Sequence, residues 1–242
     1  GSKLMILSHS GIGVGRMHID SGDYQRSALA NGVLHSPKKT ANDAAGPPQP
    51  RRAAIRDLHP TQFTVGLREV ERKRQQFRVA RGRARVELLE RLTIPVIVGP
   101  LGRLYVVDRH HWLRALASEG VVNVELTIMA DLQRLSQRAF WAELDRRDWC
   151  HPHDADGLQR DPAEIPSTIF RLRDDPFRSL ASALRRATGA AKPASLFGEC
   201  KLANTLRSQI PPGLINTDFN AALDLAVSFS GQREAQAIHE PA

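Results

Sequence analysis

VVDRHHWLRAL, residues 106–116, is the stretch on which the reading of the fold turns. It continues from LYVVD (104–108), an apolar run of the kind that forms a buried strand. It passes without a linker into Trp112, Leu113, Leu116 and Ala117, which recur at helical spacing until Gly120 closes the helix. Asp108 then ends the strand, and Arg109, His110 and His111 fall in the first helical turn. The N–H groups of such a turn lack intrahelical partners and carry the positive end of the helix dipole, so a phosphate gains hydrogen bonds there before any side chain contributes. Asp108 is of the right type to orient the His110 imidazole or to hold a divalent cation. The plainer reading keeps Asp108 as an N-cap and the histidines as surface residues.

Working outward, IPVIV (94–98), the turn Gly99-Pro100-Leu101-Gly102-Arg103 and LYVVD read as a hairpin. VNVELTIM (122–129) alternates, with Val122, Val124, Leu126 and Ile128 on one face of a half-buried strand. Upstream, residues 55–59 read as a short strand leading into a Pro-Thr-Gln turn. Gly66 opens a helix in which Leu67, Val70 and Phe77 face inward. On that helix Glu69 and Lys73 are four apart and share a face, a spacing that suits an active pair or a plain salt bridge. Mixed strands with intervening helices predict a compact α/β or α+β domain over 51–131.

After Asp131 the pattern is mostly helical, which predicts a helical C-terminal region over 132–232 packed on that domain, with a tail at 233–242. QRAFWAELDRRDW (137–149) is amphipathic, Asp175-Pro176 reads as an N-cap with a first-turn proline, and Asp218 starts an apolar helix ending near Gly231. WCHPHDADG (149–157) contains ligand-type residues in Cys150, His151, His153, Asp154 and Asp156. Their spacing matches no established zinc or calcium loop, so an ordinary polar loop is expected.

At 242 residues the chain is long enough to bury a core. GSKL before Met5 reads as a cloning scar, and residues 1–50, ending in KKTANDAAGPPQP, have the composition of a flexible arm. GIGVGR (11–16) resembles a phosphate loop but follows no strand and lacks the Lys-Ser/Thr that such a loop requires. MILSHSGIGVG lacks the apolar core of a signal peptide, and no apolar run is long enough to span a bilayer. With only Cys150 and Cys200 there is no disulfide framework, which fits a cytoplasmic protein.

The net charge is +8, and the pI is near 10.2. Between Arg51 and Arg91 there are 12 Lys/Arg against 5 Asp/Glu, a local excess of seven. Pairs such as Glu69 with Lys73 and Glu87 with Arg91 account for part of it as a solvated helix face. The remainder favours a polyanion, nucleic acid above all, with Arg78, Arg81, Arg83 and Arg85 as contact candidates.

These residues also form a pattern: Pro60-Thr61-Gln62, Val65-Gly66, Glu69-Val70, Lys73, then Asp108-x-His110-His111. In that pattern the chain resembles the ParB/sulfiredoxin superfamily, and within it the ParB-like nuclease family, over about residues 57–207. RDDPFRSLASAL (173–184) is similar to that family's C-terminal segment. The resemblance implies a compact mixed-sheet nucleotide-binding domain with ATP, ADP or another NTP at 108–111, facing Glu69, and Mg²⁺. Related archaeal proteins are kinases of free serine, in which the glutamate of the E-V-x-x-K pattern acts near the transferred phosphate. Two departures stand out. Arg109 occupies a position where many relatives carry glycine or histidine, and an aromatic-rich K-x-x-x-P-F-A-E-F stretch is reduced to Lys192, Pro193, Leu196, Phe197, Gly198 and Glu199.

Together these readings assign roles. Arg109, His110, His111, Lys73, Thr61 and Gln62 surround the nucleotide, and His110 and His111 count with Glu69 and Asp108 as the catalytic set. Glu69, its pKa raised by burial, is the base, and Asp108 is the metal ligand or His110 partner. The expected activity is metal-dependent nuclease or NTPase chemistry on nucleic-acid phosphate esters. Phosphorylation of a free amino acid such as serine is the alternative, and a non-enzymatic nucleotide switch that binds DNA or a partner is the third. No membrane partner is expected, and the oligomeric state stays open.

Overall fold

The computed structural model describes residues 52–191 and 196–239, with side chains described to residue 230. The arm at 1–50, its GIGVGR segment, and Lys192 and Pro193 lie outside the described residues.

The hairpin forms as the sequence predicts. Strands β4 (Ile94–Val98) and β5 (Leu104–Val106) pair antiparallel, with Val96 opposite Val106 and Ile97 opposite Tyr105. Because successive side chains leave a strand on opposite faces, Val96 and Val106 enter one core and Ile97, Tyr105 and Val107 another. Gly99 closes the hairpin against Tyr105 and Phe140, where a Cβ would sit 2.5 Å from the Tyr105 ring. The strand expected at 55–59 is instead two, β1 (Arg52–Ala54) and β2 (Leu58–Pro60), separated by a single 3-10 turn at Ile55–Asp57. That turn lets β1 and β2 join opposite edges of one sheet. With β6 (Asn123–Asp131), which alternates as predicted from Val124 onward while Val122 lies outside the strand and is exposed, the strand order is β1-β6-β4-β5-β2. Here β2 is parallel to β5, β4 is parallel to β6, and β1 is antiparallel to β6.

Helices α1 (Leu67–Val79) and α3 (His110–Ser118) cover one face of this sheet. They bury Val70, Phe77, Leu113 and Leu116 against Ile94, Val96 and Val106. Leu67 does not face inward as expected: it is 42% exposed. Helix α2 (Arg83–Arg91) follows α1 and buries none of its residues fully. Helix α4 (Gln137–Arg146) covers the other face through Phe140 and Leu144.

The C-terminal helices are α5 (Pro176–Thr188), α6 (Gly198–Arg207), α7 (Pro212–Thr217) and α8 (Phe219–His239). They share a core of their own around Leu180, Leu184, Leu206 and Ile215. Asp175 caps α5 by accepting from the Phe177 amide, as its Asp-Pro signature predicts. Asp218 accepts from Ala221 at the head of α8, but α8 runs past Gly231 to His239, so the tail expected at 233–242 is helical over most of its length. A lone glycine costs a helix only about 1 kcal/mol and does not stop it.

The C-terminal region is tied to the sheet domain by a strand pair and a shared core, among other contacts. β3 (Thr64–Val65) pairs in parallel with β7 (Arg173–Asp174), and Ile169 and Leu172 enter the same core as Val96 and Leu113. The fold is therefore α+β with a helical C-terminal region packed on the mixed sheet. Among the described residues no helix is long and apolar enough to cross a membrane.

Candidate functional site

The β5-to-α3 turn opens a cavity of about 300 Å³. Asp108, Arg109, His110, His111 and Trp112 form one wall, Gln62, Glu69 and Lys73 another, and Arg178, Arg185, Phe197, Glu199 and Cys200 the third. The last group comes from α5, from α6 and from Phe197 at the N-cap of α6.

Arg109 is the N-cap of α3 with φ 68°, a left-handed conformation that favours glycine. It is held there from both ends. Its amide donates to Asp108 Oδ1 at 2.6 Å, and its guanidinium donates to the Arg91 carbonyl at 2.9 Å, fastening the C-terminus of α2 to the cavity rim. A cation on the last carbonyl of a helix is favoured by the helix dipole.

The two imidazoles act as clamps on loops. His110, 3% exposed, accepts the Thr61 amide on Nε2 at 3.4 Å, while Thr61 Oγ1 donates to the Val106 carbonyl at 2.7 Å. His111 accepts the Gly66 amide on Nε2 at 3.0 Å. Burial, followed by the positive charge of Arg178, pushes the His110 pKa down to about 3 and that of His111 well below its ordinary value. Both rings are neutral and bind the Pro-Thr-Gln and Val-Gly loops to α3. The residues of the sequence pattern are thus in mutual contact. Thr61 is fully buried and does not line the cavity, whereas Gln62 does, with its Nε2 donating to the Thr64 carbonyl at 2.7 Å.

Glu69 is 4% exposed and lies among three cations. It accepts from Arg72 at 2.7 and 2.9 Å and from Arg186 at 2.5 Å, and Lys73 Nζ is 3.3 Å away. Burial raises its pKa, but the hydrogen bond from Arg72 and the charges of Lys73, Arg186 and Arg72 prevail and hold it at about 2. The raised pKa expected from burial alone is therefore not what these surroundings give, and Glu69 is a permanently ionised, weakly basic carboxylate. Lys73 is itself lowered, chiefly by burial, and lies over the Trp112 ring at 4.8 Å. The open question of active pair or salt bridge resolves geometrically into a four-member ion cluster on the cavity wall.

The third wall was not anticipated. Glu199 pairs with Arg185 at 2.8 Å and accepts from Ser182 at 3.1 Å. Arg178, 6% exposed, donates from Nη1 to the Thr64 carbonyl, while its buried Nε has no hydrogen-bond partner. The sequence held one signal for it: an arginine inside RDDPFRSLASAL, a helix apolar over most of its circumference, where a solvated cation has no room. Leu196, Phe197 and Glu199, survivors of the reduced aromatic stretch, also line the cavity.

A metal ion was expected at Asp108. Among the described residues no three His, Cys, Asp or Glu side chains converge to hold one. Of the cavity carboxylates, Glu69 and Glu199 are ion-paired with arginines, which leaves Asp108 as the carboxylate that would hold a Mg²⁺ ion together with water and ligand phosphate. The 149–157 loop is a polar loop: Asp154 accepts from the Asp156 and Leu158 amides and pairs with Arg160.

The basic segment finds partners beyond its own helices. Arg74 and Arg78 both pair with Glu119 at the end of α3, at 2.8 Å each. Arg83 pairs with Glu87, and Arg85 donates to the Ala80 carbonyl and packs on Phe77. Arg81 is exposed.

Residues 51–208 match the family model described as "Putative ParB-like nuclease". The chain belongs to this ParB-like nuclease family. Membership supports a role directed at nucleotides or nucleic acid. The family fold is also seen in the crystal structure of protein Atu1540 from Agrobacterium tumefaciens, which is 41% identical with a TM-score of 0.69. That similarity covers 77% of this chain and 94% of the other. No curated protein matches the chain. The matched span takes in both the sheet domain and α5 and α6, so all three cavity walls belong to the family region.

Proposed function

We propose that the cavity at the start of α3 binds a nucleotide and that the chain hydrolyses phosphate esters of nucleic acid there. One observation carries this reading: Lys73, Arg178 and Arg185 converge with the first turn of α3 and with Asp108 on one small cavity. Chemistry at phosphorus asks for positioned charge more than for covalent help from the protein. Lys73, Arg178, Arg185 and the α3 amides hold the phosphate oxygens, and Trp112 offers a flat face to base or sugar. Asp108 accepts the proton of the attacking water as the new O–P bond forms and the ester P–O bond breaks, with the departing oxygen protonated from solvent. Glu69 holds Lys73 at the phosphate in place of acting as the base. No step runs through a metal.

The test is incubation with single-stranded oligonucleotides in Mg²⁺ and in EDTA, with products separated by length. Hydrolysed products, shortened or stripped of a terminal phosphate, are expected from wild type and none from Asp108→Asn. Intact oligonucleotide in both buffers with folded protein overturns the reading.

The second reading is phosphoryl transfer to the hydroxyl of a free amino acid. The pairing of Arg74 and Arg78 with Glu119 favours it, because it removes charge from a strip that a nucleic acid would follow. Nucleotide turnover that rises on adding serine supports this second reading.

A further inference from the structure

We infer that Arg178 sets the charge class of the ligand: the cavity takes a phosphomonoester dianion of mononucleotide size, with Arg178 as its buried counter-ion. This deepens the proposal above and rests on it.

Arg178 is the point of departure because its state is costly. It is 6% exposed, and among the described residues no carboxylate forms an ion pair with it. One of its N–H groups reaches the Thr64 carbonyl, and its Nε–H is buried with no acceptor. A buried cation without an ion-pair partner carries a desolvation penalty, and a buried donor without an acceptor adds to it. Such a group persists where a ligand completes it. Asp175, on the same helix turn, acts on it through charge alone, because its oxygens accept from the Phe177 amide and pair with Arg207 at 2.7 Å.

Charge on the cavity wall points the same way. Among the described residues, Lys73, Arg91, Arg109, Arg178 and Arg185 face Glu69, Asp108 and Glu199, a net of plus two. His110 and His111 add nothing, because burial and Arg178 keep them neutral. A ligand carrying two negative charges neutralises this wall, whereas the internal phosphodiester of a strand carries one. The cavity volume, about 300 Å³, lies at the low end of small-ligand sites, enough for one nucleotide and too little for two. A strand terminating in a phosphate, or a free nucleotide, meets both conditions.

The probes are 5′-AMP, inorganic phosphate, adenosine and the dinucleoside diester ApA, titrated by calorimetry into wild type, Arg178→Met and Arg178→Gln. Wild type should bind AMP at least about tenfold more tightly than adenosine or ApA, the worth of one charge-assisted hydrogen bond. Arg178→Met should lose at least about tenfold for AMP and gain or keep thermal stability without ligand, since it removes an unpaired buried charge. A merely structural arginine would lower that stability. Arg178→Gln, which keeps a donor for the Thr64 carbonyl, carries the test if the methionine variant does not fold, with the same loss expected. Unchanged AMP affinity in a folded variant, or ApA bound by wild type as tightly as AMP, overturns the inference while leaving ester hydrolysis standing. Folded wild type that binds none of the phosphate-bearing probes overturns both.

Discussion

A buried carboxylate is costly alone and stabilising among cations, and Glu69 illustrates how the balance falls. Its pKa near 2 lies below the ordinary 4.5, so its contribution to stability is fully present above about 4.5 and is lost as the pH falls toward 2. Glu69→Gln should cost on the order of 2 to 3 kcal/mol at pH 7, read as a lowered urea midpoint. The gap to wild type should narrow as the pH falls below about 4.5. A gap independent of pH would remove the ion cluster from the account. The imidazoles run at a higher window. His110 and His151 are held at about 3, and His111 well below 6.5, in each case by burial first, so the unfolded chain binds protons that the folded chain does not. Stability should therefore fall as the pH drops below about 6.5, each ring contributing up to about 1.4 kcal/mol per pH unit. Denaturation midpoints between pH 7 and pH 5 that stay level would contradict the neutral-clamp geometry.

Elements meet closely where α1 begins. A Cβ on Gly66 would lie 2.5 Å from Ser179 Oγ and 2.6 Å from the Ser179 amide nitrogen on α5. The Gly66 amide also feeds His111, and the Leu67 amide is capped by Asp174 of β7 at 2.8 Å. Gly66→Ala should cost about 1 to 3 kcal/mol by overpacking, visible as a lowered melting temperature. The helix surface itself yields a second test. Replacing Arg78, Arg81, Arg83 and Arg85 by Gln should reduce the salt dependence of DNA binding by only roughly one to two units of log–log slope. Four contacts would give about 3.6, but Arg78, Arg83 and Arg85 are already engaged on the protein. These contacts mark the limit of what the sequence discloses. The hairpin, the alternation of β6, the Asp175 cap and the D-x-H-H turn were all legible, because each is written in local periodicity or in a capping residue. The cap on Leu67, the pairing of Glu119 with Arg74 and Arg78, and the Arg178 wall were not. Each joins residues with no periodic relation along the chain, and charge counting within one segment cannot find a partner on another.

At the scale of the whole molecule the candidate site is shared between the two regions. The core that holds α3 on the sheet includes Ile169 and Leu172, and the cavity includes Arg178, Arg185 and Glu199. A chain ending at residue 131 should therefore neither fold cooperatively nor bind AMP, and circular dichroism with calorimetry reads both. A cooperative melt from that fragment would show the sheet domain to be self-sufficient.

The Arg178-to-Thr64 hydrogen bond joins residues 114 apart in sequence, and this separation has a meaning in time. Chains emerge from the ribosome at about 5 to 20 residues per second, so α5 and α6 arrive roughly five to twenty seconds after the D-x-H-H turn. During that interval the growing chain displays its basic helices but no closed cavity, and a phosphate meets an unfinished surface. Whatever ligand the proposed site takes, its three walls come together only late in synthesis, when α5 and α6 dock, and a prematurely terminated chain never completes them.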